Sequence, residues 1–284
     1  MSETLVQAWA RAKKTLDAGK IDGPVMDARL LLEAAASARR TDILTDPHRA
    51  LSAEQTATLD SYLARRLARE PVSHILGRKG FWTIELKVTP DVLTPRPDTE
   101  TLVGPILKGL AEDQAAHILD LGVGSGAILL ALLSERPLAT GVGVDISPAA
   151  LEVARENAAL LKLDDRASFV HAQWAEGLPD AHFDIAVSNP PYIPTADIAG
   201  LEPEVREREP HLALDGGADG LDAYRALAPE ILRVLKPGGL FALETGHDQG
   251  AAVKALMQQA GAMEVHVLGD LGGRDRAVFG RRLA

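Results

Sequence analysis

The chain changes its hydrophobic period twice. Over residues 5–69 apolar positions recur every three or four residues, as in Ala28, Leu31, Leu32 and Ala35 and again in Leu59, Tyr62, Leu63 and Leu67. That is the spacing of helices with one buried face. Asp22-Gly23-Pro24 and Asp46-Pro47 supply turns between them. From Gly77 to about Val92 the period drops to two. Phe81, Thr83 and Glu85 alternate there with Trp82, Ile84 and Leu86, which predicts a β-hairpin. Beyond Pro97, short apolar runs alternate with helical stretches, the pattern of a parallel sheet covered by helices. Strands are expected near 117–121, 140–146, 167–171, 183–188 and 239–244, with a closing hairpin near 263–268 and 276–281. Helices are expected near 98–111, 126–135, 148–161, 222–235 and 248–260. The expected organisation is a helical domain over 1–75, a hairpin linker over 76–94 and an α/β domain over 95–284.

Composition narrows the class. A length of 284 residues exceeds one typical domain, and 46% hydrophobic content without a bilayer-length apolar run predicts a soluble globular protein. The start Met1-Ser2-Glu3-Thr4-Leu5 lacks the charged-then-apolar layout of a signal peptide. Without cysteine there is no disulfide and no thiolate metal site, and the eight histidines nowhere pair at metal-ligand spacing. A cytoplasmic monomer with no membrane partner and no metal is expected. The net charge of −10 is uneven: residues 1–75 carry +1 and the remainder −11. Duplex nucleic acid is met by basic surfaces, because phosphate neutralisation supplies most of the affinity. Arg39-Arg40, Arg65-Arg66 and Arg281-Arg282 are short pairs of the kind that face solvent, so no direct nucleic-acid partner is expected.

Two motifs carry chemistry. Asn189-Pro190-Pro191-Tyr192 ends the apolar run Phe183-Asp184-Ile185-Ala186-Val187-Ser188. A planar amide or base nitrogen has its lone pair delocalised, and it attacks an electrophile only when held in line with its N–H bonds engaged. The Asn189 side-chain oxygen can accept one N–H, and Pro190, with fixed φ and no N–H of its own, can present its carbonyl to the other. Tyr192 offers a face for stacking. Catalysis would then rest on positioning and oriented dipoles, without a strong general base. A strand-ending turn is the competing structural reading.

The second motif is Asp120-Leu121-Gly122-Val123-Gly124-Ser125-Gly126, between the strand-like Ile118-Leu119 and a helical Ala127-Ile128-Leu129-Leu130. Glycines after a strand let a ligand approach the backbone, although Gly-x-Gly-x-Gly departs from the dinucleotide fingerprint. Asp145, nineteen residues beyond Gly126, closes the next strand, where a carboxylate holds ribose hydroxyls. Ser147 is the better helix cap of the two, which leaves Asp145 for a ligand. From this pair alone NAD stays possible; Asn189-Pro190-Pro191-Tyr192 favours S-adenosylmethionine. All three features fall at strand ends on one sheet edge.

With these motifs in place, the sequence resembles the HemK/PrmC family, the protein-(glutamine-N5) methyltransferases that modify peptide chain release factors. The likeness runs from about residue 20 to the end. It also covers Glu70-Pro71-Val72, His74-Ile75-Leu76-Gly77, Phe81-Trp82, Thr94-Pro95-Arg96-Pro97-Asp98-Thr99-Glu100 and Leu214-Asp215-Gly216-Gly217 through Leu221. The resemblance implies an N-terminal helical bundle, a hairpin linker and a seven-stranded Rossmann-like methyltransferase domain whose last strand is antiparallel. It implies S-adenosylmethionine as cofactor, held by Asp120, Gly122, Val123, Gly124, Ser125, Gly126, Asp145, Ile146, Trp174 and Asn189. Substrate glutamine of class I release factors would be gripped by Asn189, Pro190, Pro191 and Tyr192, with Asn189, Pro190 and Tyr192 catalytic. The family's loop usually carries Thr where Val123 and Ser125 stand here, and Ser125 alone keeps a hydroxyl.

Other features have structural readings. Trp174 could be core, and the family likeness more than spacing makes it a ligand contact. Arg96 and Glu100 are expected to pair across a helix start that Pro97 and Asp98 favour. The stretch 202–209 reads as a mobile, solvated acidic flap. Two alternative activities share the chemistry: glutamine methylation of a ribosomal protein, and methylation of an exocyclic amine in nucleic acid. A vestigial fold that binds cofactor without turnover is a third reading, against which an intact Asn189 counts.

Overall fold

A computed structural model describes residues 2–270 and 272–284. The described residues divide into two units: residues 1–77 with 202–208, and residues 78–201 with 209–284. The first holds α1 (Leu5–Ala18), α2 (Pro24–Ala35), α3 (Arg40–Thr45), α4 (Ala53–Leu67) and α5 (Val72–Leu76). Their apolar stripes meet in one core that includes Leu5, Leu16, Leu31, Leu32, Leu59 and Leu63. Burying such side chains stabilises by about 1.5–3 kcal/mol each before chain entropy is subtracted. At the start of α4 the Ser52 hydroxyl accepts from Gln55 N at 3.1 Å while the Gln55 side chain accepts from Ser52 N at 3.0 Å. This reciprocal capping box fixes where the helix begins.

The second unit opens with the hairpin β1 (Arg78–Phe81) and β2 (Ile84–Lys87). Then follow α6 (Glu100–Gly109), β3 (His117–Leu121), α7 (Ala127–Glu135), β4 (Thr140–Asp145), α8 (Pro148–Leu160), β5 (Ala167–His171) and β6 (Phe183–Ser188). The segment Pro203–Arg206 forms a short α9, packed in the first unit. The chain closes with α10 (Asp222–Val234), β7 (Leu235–Glu244), α11 (Gly250–Gln259), β8 (Met263–Gly269) and β9 (Asp275–Arg281). Seven strands pair in the order β5-β4-β3-β6-β7-β9-β8. The pairs among β3 to β7 are parallel, and β9 runs antiparallel to both β7 and β8. The expected α/β class, with its antiparallel final strand, is the observed one.

Successive strand residues supply opposite faces. Ile118, Ile185 and Val187 face the core made with α6, α7 and α8. Leu119, Ala186 and Leu243 face the core made with α10 and α11. Burial on both faces explains why these strands read as unbroken apolar runs. The strand order reverses between β3 and β6, whose last residues, Leu121 and Ser188, are in register. The Ser188 hydroxyl donates to the Leu121 carbonyl at 2.5 Å and clamps the two strand ends together. Ligands in open α/β sheets bind beyond the carboxyl ends of strands at such a reversal.

Two expectations about elements need correction. β7 begins at Leu235, not near 239, because Lys236-Pro237-Gly238-Gly239 forms an irregularity inside the strand. Proline and glycine are tolerated there since β9 pairs with β7 only from Leu240 onward. The acidic stretch 202–209 is also not solvated throughout: Glu202 and 206–208 are exposed, but two of its carboxylates are not. Glu204 and Glu209 are buried, and each has a guanidinium partner.

Candidate active site

A cavity of about 470 Å³ lies in the second unit, beyond the carboxyl ends of β3, β4 and β6. Its wall includes Gly122, Val123, Gly124, Ser125, Asp145, Ile146, Trp174, Asn189 and Pro191. Three motifs far apart in sequence therefore meet at one place.

The loop after β3 is built for close backbone approach. Gly122, Gly124 and Gly126 have φ of 75°, 52° and 84°, in the left-handed region that side chains disfavour. No atom lies within 4 Å of a Cβ built on Gly122 or Gly124, so a ligand can reach the main chain there. Gly126 is not in the cavity wall; it caps α7, and a Cβ on it would meet Leu130 at 2.8 Å. Val123 is buried in the core against Gly143, where a Cβ would meet its Cγ2 at 2.7 Å. The side chain that replaces the usual Thr thus serves packing.

Asp145 is more engaged than its capping neighbour suggested. Ser147 does cap α8, accepting from Ala150 N at 3.2 Å. Yet the Asp145 carboxylate accepts from Gly124 N at 2.9 Å and from Ser147 N at 2.9 Å. A carboxylate has about four acceptor positions, so about two stay open for hydroxyls. Asp145 both shapes the glycine loop and faces the cavity. Ile146, 45% exposed, and Trp174 supply apolar surface beside it. Trp174 holds φ of 50°, an uncommon conformation for a large side chain and one concentrated at functional sites.

Asp120 lies beneath the loop, outside the cavity wall. It is 1% exposed and accepts from Leu129 N at 3.2 Å through Oδ2, while Oδ1 has no hydrogen-bond partner. Burial pushes its pKa up to about 7, and the Asp145 charge adds to the shift. A buried acid with an unpaired oxygen below a ligand loop is a costly arrangement that folding alone does not favour.

At the end of β6, Asn189 lines the cavity and donates from Nδ2 to the Thr99 hydroxyl at 3.2 Å, leaving Oδ1 as its acceptor. Pro190 is buried and absent from the wall. Tyr192 is not in the wall either, contrary to the expectation of an open stacking face. Its ring packs on the α10/α11 core and its hydroxyl reaches Glu244 Oε1 at 3.4 Å. Burial first, then the nearby Glu244 charge, raises the Tyr192 pKa, so the phenol stays neutral.

The structure adds residues that sequence reasoning left without a task. Pro90, Val92, Pro95, Arg96 and Thr99 form one wall and Pro210 to Ala213 another. Arg96 does not pair with Glu100. Its Nη2 lies 2.6 Å from Glu209 Oε2, which ties the two walls together, while Glu100 accepts from Trp82 N at 3.0 Å. Asp98 pairs with Arg276 at 3.1 Å. Glu244, the last residue of β7, went unnoticed. Its only signal was a lone carboxylate ending the apolar run Leu240-Phe241-Ala242-Leu243 on the same sheet edge.

Comparisons with known proteins bear on the family and the fold. Residues 7–77 match the model of the PrmC N-terminal domain, and residues 112–271 match that of a methyltransferase domain. A release factor glutamine methyltransferase of Caulobacter vibrioides is 62% identical, over 99% of this chain and 97% of its own length. One from Rhodospirillum rubrum is 47% identical over 93% of this chain and 81% of its own length. Among solved structures, a methyltransferase from Pyrococcus furiosus has the same fold, with a TM-score of 0.53 at 16% identity. It covers 79% of this chain and 100% of its own.

Proposed function

The chain belongs to the HemK/PrmC family of S-adenosylmethionine-dependent methyltransferases, and we propose that it methylates the side-chain amide nitrogen (N5) of the glutamine in the Gly-Gly-Gln motif of class I release factors. One observation carries the reading. Asn189 stands on the wall of the cavity that the glycine loop and Asp145 also line, with its Oδ1 unspent. An acceptor so placed suits an amide N–H, and a nucleophile this weak needs positioning above all.

The residues fit the cofactor. Open backbone at Gly122 and Gly124 suits its amino-acid part, the two spare acceptor positions of Asp145 suit vicinal hydroxyls, and Ile146 and Trp174 suit the faces of a base. Bound there, S-adenosylmethionine supplies an electrophilic methyl group on a sulfonium. The chain's own contribution is to orient the amide. Asn189 Oδ1 accepts one N–H, and that interaction strengthens as the nitrogen acquires positive charge. Among the described residues, no helix is long and apolar enough to cross a membrane. In this reading the protein works as a cytoplasmic monomer, and its helical unit docks the release factor.

The test is intact-mass and peptide mass spectrometry of release factors incubated with the protein and S-adenosylmethionine. A single methyl on the glutamine of the Gly-Gly-Gln loop is the expected result. Unmodified release factors, with cofactor binding verified separately, overturn the proposal and point to a ribosomal protein first and nucleic acid second.

A further inference from the structure

Helix α8 carries a polar residue on its buried face. Ala150, Leu151, Val153, Ala154 and Ala158 are buried at helical spacing, and Asn157 stands among them with no exposed surface. Asparagine is a weak helix former, and burying its amide costs free energy unless both ends are hydrogen-bonded. An apolar side chain would suit this position better if packing were its whole task. We propose that Asn157 is a positioning residue for the cofactor, because it ties the glycine loop to the chain segment that forms another part of the cavity wall. This rests on the cofactor placement proposed above and not on which substrate is methylated.

The amide is spent on two pieces of main chain. Its Oδ1 accepts from Lys87 N at 2.7 Å, and Nδ2 donates to the Lys87 carbonyl at 3.0 Å. These two bonds leave no choice of orientation, since a donor and an acceptor of one residue face the two ends of the amide. The other Nδ2 proton goes to the Ser125 carbonyl at 2.9 Å. The need to pair the outer backbone groups of β2, in its two-stranded sheet, explains the Lys87 bonds alone. It leaves unexplained the third bond, which reaches into the glycine loop.

Both ends of this link lead to the cavity. Ser125 is on its wall, next to Gly124. Elsewhere the loop is held by β4: Gly122 N and Val123 N donate to the Val144 carbonyl, each at 2.9 Å, and Gly124 N donates to Asp145. Lys87 ends β2, and the chain runs on into Pro90, Asp91, Val92 and Leu93, which line the cavity. Val88 and Val92 pack in one cluster with Ala150 and Val153 of α8. The helix thus holds the 88–92 segment by apolar contact, and Asn157 adds the directional part. Apolar contacts tolerate sliding, whereas three hydrogen bonds from one planar amide do not. The amide therefore sets how far the open backbone at Gly122 and Gly124 stands from the 90–93 wall, and with it the fit of a bound cofactor.

The experiment compares wild type with Asn157→Ala and Val153→Ala, reading S-adenosylmethionine affinity by calorimetry and stability by urea. Asn157→Ala is expected to raise the cofactor Kd about tenfold, the scale of one or two hydrogen bonds lost at a binding loop. Val153→Ala thins the packing but keeps all three bonds, so its cost should fall on the urea midpoint and its Kd stay within about twofold of wild type. A wild-type Kd in Asn157→Ala, whatever its urea midpoint, or an equal loss of affinity in Val153→Ala, overturns the proposal. Hydrogen exchange on the wild type decides without a variant, should Asn157→Ala fail to fold. Cofactor is expected to slow exchange at the Lys87 amide, which lies outside the cavity wall, together with Gly124, which lies on it. Slowing at Gly124 with none at Lys87 overturns the link. No slowing at Gly124, or no cofactor binding by wild type, overturns the cofactor placement instead, and the inference with it.

Discussion

At the scale of single residues, the proposed function separates groups that would hold the cofactor from groups that would orient the substrate, and the separation is measurable. Asn189→Ala removes the acceptor for the reacting amide but leaves the glycine loop and Asp145 intact. We expect kcat to fall by about a hundredfold or more, as when an oriented dipole at a reacting centre is lost, with S-adenosylmethionine affinity little changed. Equal loss of both in stopped-flow and titration would remove Asn189 from its assigned role. Asp145→Ala should do the opposite. It releases Gly124 N and Ser147 N and, in the proposed reading, deletes acceptors for two ribose hydroxyls, so cofactor Kd should rise by about 10- to 100-fold, read by calorimetry. An unchanged Kd would exclude Asp145 from binding. The half of the site legible in sequence was the half carried by contiguous motifs: Gly122 to Gly126, Asp145 and Asn189 each end a strand. Thr99 and Glu244 were not legible, because their meaning lies in contacts with Asn189 and Tyr192 that span tens of residues. A buried carboxylate looks like any other Glu until its neighbours are known.

Among elements, the sequence was read best where a short strand has a clear stop signal at one end. The strands 117–121, 167–171 and 183–188 were located to the residue: Gly122 follows the first, Arg166 precedes the second and Asn189-Pro190 follows the third. β7 was shortened because proline and glycine within a strand imitate a turn. The run 202–209 was misjudged for a different reason: composition counts charges but not partners. In the helical unit, Arg66, with a side chain 6% exposed, lies 2.7 Å from Asp27 and 2.6 Å from Glu204, and Arg69 adds a contact to Glu204 at 3.6 Å. Burial works to raise the Glu204 pKa, but the Arg66 contacts more than offset it and hold the carboxylate charged. Removing Arg66 would leave two carboxylates without their main counter-charge. Arg66→Ala should therefore destabilise the helical unit by about 3–5 kcal/mol and free the α9 segment. Hydrogen exchange would report faster exchange across 202–208. Unchanged protection there would mean that the segment is held by its backbone alone.

Over the whole molecule, the second unit carries buried acids that oppose its own folding, among them Asp120 and Glu244, while Glu209 is shifted the same way by burial. Asp120 moves from 3.8 to about 7 and Glu244 from 4.5 to about 7, both mainly through burial. In each case the folded state binds its proton more tightly than the unfolded chain does. Between about pH 4 and pH 7 the folded protein therefore holds more protons, and stability falls as pH rises across that window. At pH 8 the cost is fully expressed, on the order of 3 kcal/mol for each group. His117 acts with the opposite sign, because burial lowers its pKa and the folded state prefers it neutral. A raw pH profile mixes these terms, so the informative comparison is variant against wild type. Asp120→Asn and Glu244→Gln should each raise the urea midpoint at pH 8 and gain less at pH 5. Variants that are less stable than wild type at pH 8, or that gain equally at both pH values, would show that the carboxylates are net contributors to folding. The expected result would set the two acids apart as groups the fold does not need for stability: both lie near the carboxyl edge of the sheet, one below the glycine loop and one against the Tyr192 hydroxyl.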